Sequence, residues 1–235
     1  MLHSDYRQNV DYRKLSQVLL QKNIYLYFKN DKCMRDYTWK VNYVIHVCLS
    51  IVTNRRIKIQ DQYGIDQYVR SIPDFPEPGI IFRDITSIFQ DPDGLKKSID
   101  GIIENLKGVD FDVVIGPESR GFIFGKPVAY AYGKGFVPVR KKGKFPCETI
   151  EKEYALEYGT AVIEMHKDAI KPGDKVVIVD DLIATGGTIE AIIEMVESLG
   201  GEVVKIEFVM ELAGLKGRER LSKYDIDSLL IYDGK

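Results

Sequence analysis

Two adjacent acidic residues followed by a loop of glycines and threonines form the stretch of this sequence best suited to chemistry. Asp180 and Asp181 stand shortly before the loop Ala184, Thr185, Gly186, Gly187 and Thr188. If that loop opens a helix, its free N–H groups and the helix dipole favour a phosphate. The two carboxylates then suit sugar hydroxyls or a metal-bound sugar. The alternative is an ordinary strand-to-helix turn whose acids cap the helix or face solvent.

The elements on either side of the loop place it at the edge of a buried sheet. Four consecutive β-branched residues, Val176–Val179, predict a strand buried on both faces that ends before Asp180. After the loop, apolar residues recur with helical spacing at Ile189, Ile192, Ile193, Val196 and Leu199. No Gly-Lys-Ser/Thr follows the glycines and no spaced-glycine fingerprint is present, which excludes the Walker and dinucleotide-binding loops.

The stretch from Lys175 to Leu199 resembles the phosphoribosyl-diphosphate-binding motif of type I phosphoribosyltransferases. This resemblance favours a ligand site over an ordinary turn. It implies that the loop binds the 5′-phosphate and that Asp180 and Asp181 bind the ribose hydroxyls.

A second strand-to-loop unit ends in residues that suit a diphosphate. Asp112–Ile115 predicts a strand that Gly116 and Pro117 stop, so Glu118, Ser119 and Arg120 follow at its carboxyl end. The planar fork of Arg120 matches phosphate oxygens, although an arginine that opens a helix is more often simply solvated. In the family this loop binds diphosphate and can hold a cis peptide between Glu118 and Ser119.

A basic segment precedes a predicted lid. Arg140–Lys144 carries four cations and is followed by a long loop, Phe145–Tyr154, that could close over a polyanion. Such a basic run is otherwise a solvated face. By resemblance Lys144 reaches the site of a neighbouring subunit, which implies a homodimer. Glu157 matches the family's catalytic carboxylate, which hydrogen-bonds N7 of adenine or holds a proton there.

A proline-rich segment, Pro73–Thr86, contains three prolines and Gly79, which exclude a helix and predict a rigid irregular loop. Alone it fits a packing loop as well as a ligand-holding one. Its Pro-Asp-Phe-Pro-x-Pro-Gly-Ile-x-Phe-Arg-Asp pattern resembles the base-binding loop of adenine phosphoribosyltransferases. By that resemblance Phe82 stacks on the purine, and backbone groups near Ile81 and Arg83 read its edge.

The resemblance as a whole implies a set of site residues. Those that act in catalysis are Glu157 and Arg120. Those that bind phosphoribosyl diphosphate are Asp180, Asp181, Ala184, Thr185, Gly186, Gly187, Thr188, Glu118, Ser119, Lys141, Lys144 and Tyr158. Those that bind adenine are Ile81, Phe82, Arg83 and Leu182. No side chain is expected to bind metal directly, because Mg²⁺ is held mainly through the diphosphate substrate and water.

The first part of the chain differs in composition from the rest. Residues 1–60 lack Ala, Gly, Pro and Glu, and carry 11 Lys and Arg against four Asp, whereas the remainder has a net charge of −9. We expect residues 1–62 to be a basic extension outside the catalytic fold, and residues 63–235 to be the phosphoribosyltransferase domain. The extension is either an appendage that touches RNA or a membrane surface, or upstream sequence included by a misplaced start, which we favour.

Alternating strands and helices predict an α/β fold of type I phosphoribosyltransferase kind: a central parallel sheet flanked by helices, a small N-terminal hood and a mobile lid loop. The expected activity is purine salvage, making AMP and diphosphate from adenine and phosphoribosyl diphosphate. Transferases for hypoxanthine, guanine or xanthine and a non-catalytic regulator are the alternatives. Three cysteines without a CxxC pair indicate a cytoplasmic protein, and the net charge of −2 indicates neither nucleic-acid nor membrane binding.

Overall fold

A computed structural model of the chain describes residues 59–156 and 159–234. The strands of this part are β1 (Ile59–Asp61), β2 (Arg70–Pro73), β3 (Ile81–Asp84), β4 (Val113–Pro117), β5 (Gly135–Lys141), β6 (Thr149–Leu156), β7 (Gly159–His166), β8 (Lys175–Ile183), β9 (Glu202–Leu212) and β10 (Ile226–Tyr232). The α-helices are α1 (Thr86–Gln90), α2 (Pro92–Asn105), α3 (Gly121–Tyr132), α4 (Gly187–Ser198) and α5 (Gly217–Arg220). Short 3₁₀ turns cover Asp66–Tyr68 and Ala213–Leu215.

The main sheet has eight strands in the order β1-β10-β9-β8-β4-β5-β7-β6. The five strands from β10 to β5 are parallel, while β1, β7 and β6 pair antiparallel at the two edges. The predicted parallel sheet is therefore confirmed at its centre. The antiparallel edges were not predicted, because the local sequence pattern does not show which strands pair.

Strand β8 lies in the middle of this sheet and contacts two separate apolar cores. Val176 and Ile178 belong to the core that contains α4, whereas Val177 and Val179 belong to the core on the other face. All four side chains are fully buried. Because side chains alternate along a strand, a continuous apolar run can satisfy both faces, and each such residue stabilises the fold by about 1.5–3 kcal/mol.

Helix α2 begins where its sequence provides a cap. The Asp91 carboxylate accepts hydrogen bonds from the N–H groups of Asp93 and Gly94, both at 2.9 Å, and Pro92 occupies the first turn. These features are typical of a helix start.

Two segments expected to be loops contain strands. Within the proline-rich segment, β3 pairs antiparallel with β2, so a short hairpin carries the predicted base-binding residues. We call β2 and β3 the hood hairpin. The predicted lid likewise contains β6, which pairs with β7 over its whole length. The expectation of an irregular loop was wrong at β3 and from Thr149 onward, because these extended stretches pair with the strand next to them in the chain, β3 with β2 and β6 with β7.

The N-terminal boundary of the fold falls within the range assigned to the extension. Ile59, Gln60 and Asp61 pair with Tyr232, Ile231 and Leu230 of β10. Residues 1–58, with most of the predicted extension, lie outside the described residues. Among the helices that are described, none has the length and apolar character needed to cross a membrane.

Candidate active site

The acidic pair lies in the second half of β8. The strand was expected to end at Val179, but it continues to Ile183 because β9 extends alongside it: Asp180 pairs with Phe208, and Leu182 pairs with Met210. Asp181 is 4% exposed, and its backbone N–H donates to Asp180 Oδ1 at 2.8 Å. The two carboxylates are therefore fixed at the carboxyl end of a central strand.

Burial and mutual repulsion control the charge of this pair. Burial raises the pKa of Asp180 well above its usual range, and the neighbouring Asp181 charge raises it further. Burial also raises the pKa of Asp181, although Arg120 opposes this effect. Arg120 Nε lies 2.7 Å from Asp181 Oδ2, yet that buried oxygen accepts no well-aligned hydrogen bond from the described residues. A buried acceptor with spare capacity suits a hydroxyl donor such as a ribose 2′- or 3′-OH.

The glycine–threonine loop leads directly into helix α4, as predicted. Gly186 has φ 79° and immediately precedes the first helical residue, Gly187. This left-handed conformation is accessible to glycine at little cost and aims the first N–H groups of the helix at one point. Thr185 is exposed and Thr188 is half-buried, so both hydroxyls lie near the surface of the site. The loop has the geometry of an anion site at a helix N-terminus, and we call residues 184–188 the phosphate loop.

A turn from a distant part of the chain supports this loop. A Cβ atom on Gly217 would lie 2.4 Å from the carbonyl oxygen of Ala184 and 3.1 Å from the backbone nitrogen of Gly186. Real Cβ atoms do not approach other atoms at 2.4 Å, so only glycine fits there. The start of α5 therefore packs directly against the backbone of the phosphate loop.

The loop after β4 connects the acidic pair to the basic segment. The peptide bond between Glu118 and Ser119 is cis, the form implied by the resemblance. The Glu118 carboxylate accepts hydrogen bonds from Arg140 Nε at 3.2 Å and from the Lys141 N–H at 3.3 Å. Strand β4 runs through Pro117 rather than stopping at Gly116, because it pairs with β5 as far as Val139. The ends of β4 and β5 thus lie side by side.

The lysine-rich turn after β5 is organised by a buried acid. Glu164, which is 3% exposed, accepts hydrogen bonds from the N–H groups of Lys144 at 2.8 Å and Phe145 at 3.2 Å. Burial alone would raise the pKa of Glu164, but these backbone hydrogen bonds outweigh it and hold the pKa below its usual range. The side chains of Lys141 and Lys144 are exposed. The turn therefore presents two cations to solvent or to a ligand.

The lid hairpin, formed by β6 and β7, contacts the helix of the phosphate loop. Lys152 of β6 forms an ion pair with Glu194 of α4. A cleft between them has Tyr154 and Gly187 among its lining residues. The predicted catalytic Glu157 and the predicted ligand Tyr158 follow β6 in sequence and lie outside the described residues.

The predicted adenine-binding residues occupy two elements. Phe82 is 39% exposed, and its ring meets the Phe75 ring edge-on with centroids 5.3 Å apart. Ile81 is half-buried on the same strand, and Leu182 is half-buried on β8. The Arg83 side chain is directed elsewhere: its guanidinium lies over the Tyr232 ring, 4.0 Å from the ring centre. An exposed aromatic face on the hood hairpin suits stacking on a flat heterocycle.

Comparisons with known proteins identify the family. The profile of the phosphoribosyl transferase domain matches residues 85–233. The chain is 72% identical over 171 residues to the adenine phosphoribosyltransferase of Lachnoclostridium phytofermentans, an alignment that covers 73% of this chain and 98% of that protein. The chain belongs to the adenine phosphoribosyltransferase family. A second member, from Agathobacter rectalis, is 66% identical over the same share of each chain.

Solved structures of the family share this fold. The adenine phosphoribosyltransferase of Thermoanaerobacter pseudethanolicus is 54% identical, with a TM-score of 0.67 over 71% of this chain and 96% of that one. The Saccharomyces cerevisiae enzyme, complexed with an imino-altritol bisphosphate and adenine, is 43% identical, with a TM-score of 0.65 over 70% of this chain and 96% of that one. The predicted family and its fold are confirmed.

Sequence reasoning missed three contacts that support the site. Gly217 backs the phosphate loop, Arg140 pairs with Glu118, and Tyr232 contacts Arg83. Of the three, only Gly217 had a local signal: a glycine directly after the basic residue Lys216, at the start of a short helix. The other two contacts join positions far apart in the chain, which spacing alone does not reveal.

Proposed function

We propose that this protein transfers the phosphoribosyl group of 5-phosphoribosyl 1-diphosphate to adenine, giving AMP and diphosphate. The observation that carries the proposal is the pair of half-buried Asp180 and buried Asp181 beside a phosphate loop at a helix N-terminus. The relatives named above are adenine phosphoribosyltransferases at up to 72% identity, which supports adenine as the acceptor.

The sugar phosphate binds along the end of β8. The backbone N–H groups and hydroxyls of residues 184–188 bind the 5′-phosphate, and Asp180 and Asp181 accept hydrogen bonds from the ribose hydroxyls. Since burial disfavours both charges, hydroxyl donors to the two carboxylates replace hydration that they lost on folding. This arrangement fixes C1′ between the diphosphate and the base.

The leaving diphosphate is bound by cations from two loops. Arg120 lies beside Asp181, and Lys141 is the last residue of β5, the strand that pairs with β4. Glu118 and Ser119 complete this loop. As the bond to C1′ lengthens, negative charge grows on the diphosphate and positive charge grows on the sugar. Fixed cations stabilise the negative charge on the diphosphate, and closure of the lid keeps water from the positively charged sugar.

The side chains present fit a magnesium ion bound chiefly through the substrate. Among residues 59–156 and 159–234, no cluster of three or more His, Cys, Asp or Glu is arranged to bind a metal. Asp180 and Asp181 offer hard oxygen atoms, and Mg²⁺ commonly keeps several waters and binds phosphate oxygens. When bound, Mg²⁺ would neutralise charge on the diphosphate and the ribose hydroxyls.

The base binds against the hood hairpin. Phe82 stacks on adenine, backbone groups near Ile81 and Arg83 hydrogen-bond its edge, and Leu182 closes the apolar side. Glu157 accepts a hydrogen bond from N7 or holds a proton there as N9 attacks C1′. Tyr158 packs over the ribose or diphosphate.

The active form is a homodimer in which Lys144 acts on the partner's site. Two features support this proposal: Tyr130 is 89% exposed, and Ile123 on the same side of α3 is 37% exposed. A dimer would cover these side chains, and the turn held by Glu164 leaves Lys144 free to reach outward. Mixing inactive Lys144→Ala with inactive Asp181→Asn protein should restore activity. Heterodimers without any activity would contradict the shared site.

We also propose that the protein works in the cytoplasm. Cys147 is a free and exposed thiol, which suits a reducing compartment. Fractionation of cells that express a tagged chain tests this assignment.

A base-competition assay tests the choice of acceptor. The full-length protein is incubated with phosphoribosyl diphosphate, Mg²⁺ and one purine at a time, and nucleotide formation is measured. We expect AMP from adenine and at least about a hundredfold lower kcat/KM with hypoxanthine, guanine or xanthine, because a 6-oxo group leaves donor and acceptor groups mismatched. Equal use of a 6-oxopurine would contradict the assignment, and binding of the diphosphate without turnover of any purine would indicate a regulator.

A further inference from the structure

Tyr232, the last residue of β10, joins the hood hairpin to the main sheet. The Arg83 guanidinium carbon lies 4.0 Å from the centre of its ring, within the range of a cation–π interaction. Arg83 also donates a hydrogen bond from Nη1 to Ser71 Oγ, on the neighbouring strand of the hairpin. Arg83 therefore links the two strands of the hood hairpin through Ser71. It also links the hairpin to the main sheet through Tyr232.

The hydroxyl end of Tyr232 is held by a second anchor. Its O–H donates to Asp66 Oδ1 at 2.5 Å. Asp66 is itself fixed, because its N–H and that of Ile65 donate to the two carboxylate oxygens of Asp61, each at 2.9 Å. Burial raises the pKa of Tyr232, and the hydrogen bond to Asp66 raises it further, so the hydroxyl stays a donor at neutral pH. The ring is 1% exposed and has little freedom to move.

The hood hairpin needs such an anchor. It forms a separate two-stranded sheet that is not hydrogen-bonded into the eight-stranded sheet. A two-stranded hairpin is marginally stable by itself, so side-chain contacts must determine its position. Strand β3 contains Ile81 and Phe82 directly before Arg83, and a shift of Arg83 moves both.

We propose that Tyr232 and Asp66 are positioning residues for the purine base. They hold the Arg83 side chain, and through it strand β3, where Ile81 and Phe82 meet adenine. Neither residue contacts the base: each acts through Arg83. This inference rests on the proposed adenine activity. It assigns a role in base affinity to Tyr232, at the end of β10, and to Asp66, in the segment before the hood hairpin.

The test measures the KM values of both substrates for variants that remove one link each. Tyr232→Phe keeps the ring and loses the hydrogen bond to Asp66, and Asp66→Ala removes the acceptor. We expect each to raise the KM for adenine about fivefold, the scale of one lost hydrogen bond, while the KM for phosphoribosyl diphosphate changes less than about twofold. Asp66→Asn keeps an acceptor oxygen and should restore the adenine KM to within about twofold of wild type.

A matched control separates positioning from general stability. Tyr224 donates to Glu197 at 2.8 Å, so Tyr224→Phe loses a similar hydrogen bond on another part of the domain. It should leave both KM values unchanged, whatever its effect on Tm.

A comparison of single and double variants of Tyr232 and Arg83 provides a second test. Tyr232→Leu and Arg83→Leu should each raise the adenine KM, and the double variant should be no worse than the more affected single one, because both break the same link.

Two outcomes overturn the inference. If Tyr232→Phe and Asp66→Ala lower Tm but leave the adenine KM unchanged, these residues serve stability alone. If both substrate KM values rise together, the effect is not confined to the hood. Absence of adenine turnover by the wild-type chain would defeat the proposed function instead, and with it the inference, so wild type is measured first.

Discussion

Glu207 is a buried acid that should make the protein less stable as pH rises. It lies on β9, fully buried, where its Oε2 accepts a hydrogen bond from Asn105 Nδ2 at 3.0 Å. Its Oε1 accepts none from the described residues. Burial raises the pKa of Glu207 to about 8, and the charge of Asp227 adds to this effect, although Asn105 and Lys205 oppose it.

The direction of the pH dependence follows from proton binding. The pKa of Glu207 is 4.5 when unperturbed and about 8 in the folded chain, so between these values the folded state binds more protons than the unfolded state. The stability that this group contributes is fully present below pH 4.5, falls as pH rises, and is lost above about pH 8. At pH 8 the loss amounts to about 4 kcal/mol, since each pH unit between the two values is worth about 1.4 kcal/mol.

Glu207→Gln should remove this loss. The amide has the shape of the protonated acid and carries no charge, but its extra N–H must be buried at a cost of about 1–3 kcal/mol. We therefore expect the free energy of unfolding to rise by about 2 kcal/mol at pH 8 and to fall slightly at pH 5. Urea titrations of both proteins at these two pH values measure the difference.

A second glutamate on the same strand is the control. Glu211 is 4% exposed but is paired with Arg218, whose Nε lies 3.0 Å from Oε2. Glu211→Gln should destabilise the protein at both pH values, because it leaves a partly buried guanidinium without its partner. If Glu207→Gln is equally stabilising at pH 5 and pH 8, or destabilising at both, the desolvated carboxylate is not the cause and the reasoning is refuted.

Three further predictions concern the site. Asp181→Asn should lower kcat/KM about a hundredfold, the scale of losing a charged hydrogen bond of about 2–3 kcal/mol, and an unchanged value in a folded protein would contradict the sugar assignment. Gly217→Ala should raise the KM for phosphoribosyl diphosphate at least about tenfold with little change for adenine, because the added methyl displaces the phosphate loop; steady-state kinetics with each substrate varied in turn checks this. A chain that begins at Ile59 should keep kcat/KM within about twofold of full length, whereas one that begins at Ile65 lacks β1 and should lose adenine affinity; equal KM values for the two would exclude a role for β1.

The central strand and the helix after it could be predicted because the local sequence pattern determines both elements. The run Val176–Val179 is apolar on both faces, and the structure buries both faces. The helix after the loop also follows from the spacing of its apolar residues. The acidic pair and the phosphate loop lie between these two elements, so their relative placement needs no long-range information.

The contacts that hold the site in place could not be predicted in the same way. The contact of Gly217 with Ala184 and the contact of Tyr232 with Arg83 join segments that are distant in sequence. The hairpin character of the lid depends on pairing between β6 and β7, whose alternating pattern is interrupted by charged residues. Such contacts depend on the assembled sheet, and a single sequence shows only which residues are available to make them.

The central claim is that Asp180, Asp181 and the loop beside them bind phosphoribosyl diphosphate for transfer to adenine. The most direct test is diphosphate release by the full-length chain with Mg²⁺ and phosphoribosyl diphosphate, with and without adenine, for wild type and for the Asp180→Asn, Asp181→Asn double variant. We expect release that depends on adenine in wild type, and a loss of at least about a hundredfold in a double variant that remains folded. Release that is independent of adenine, or a double variant as active as wild type, would contradict the claim.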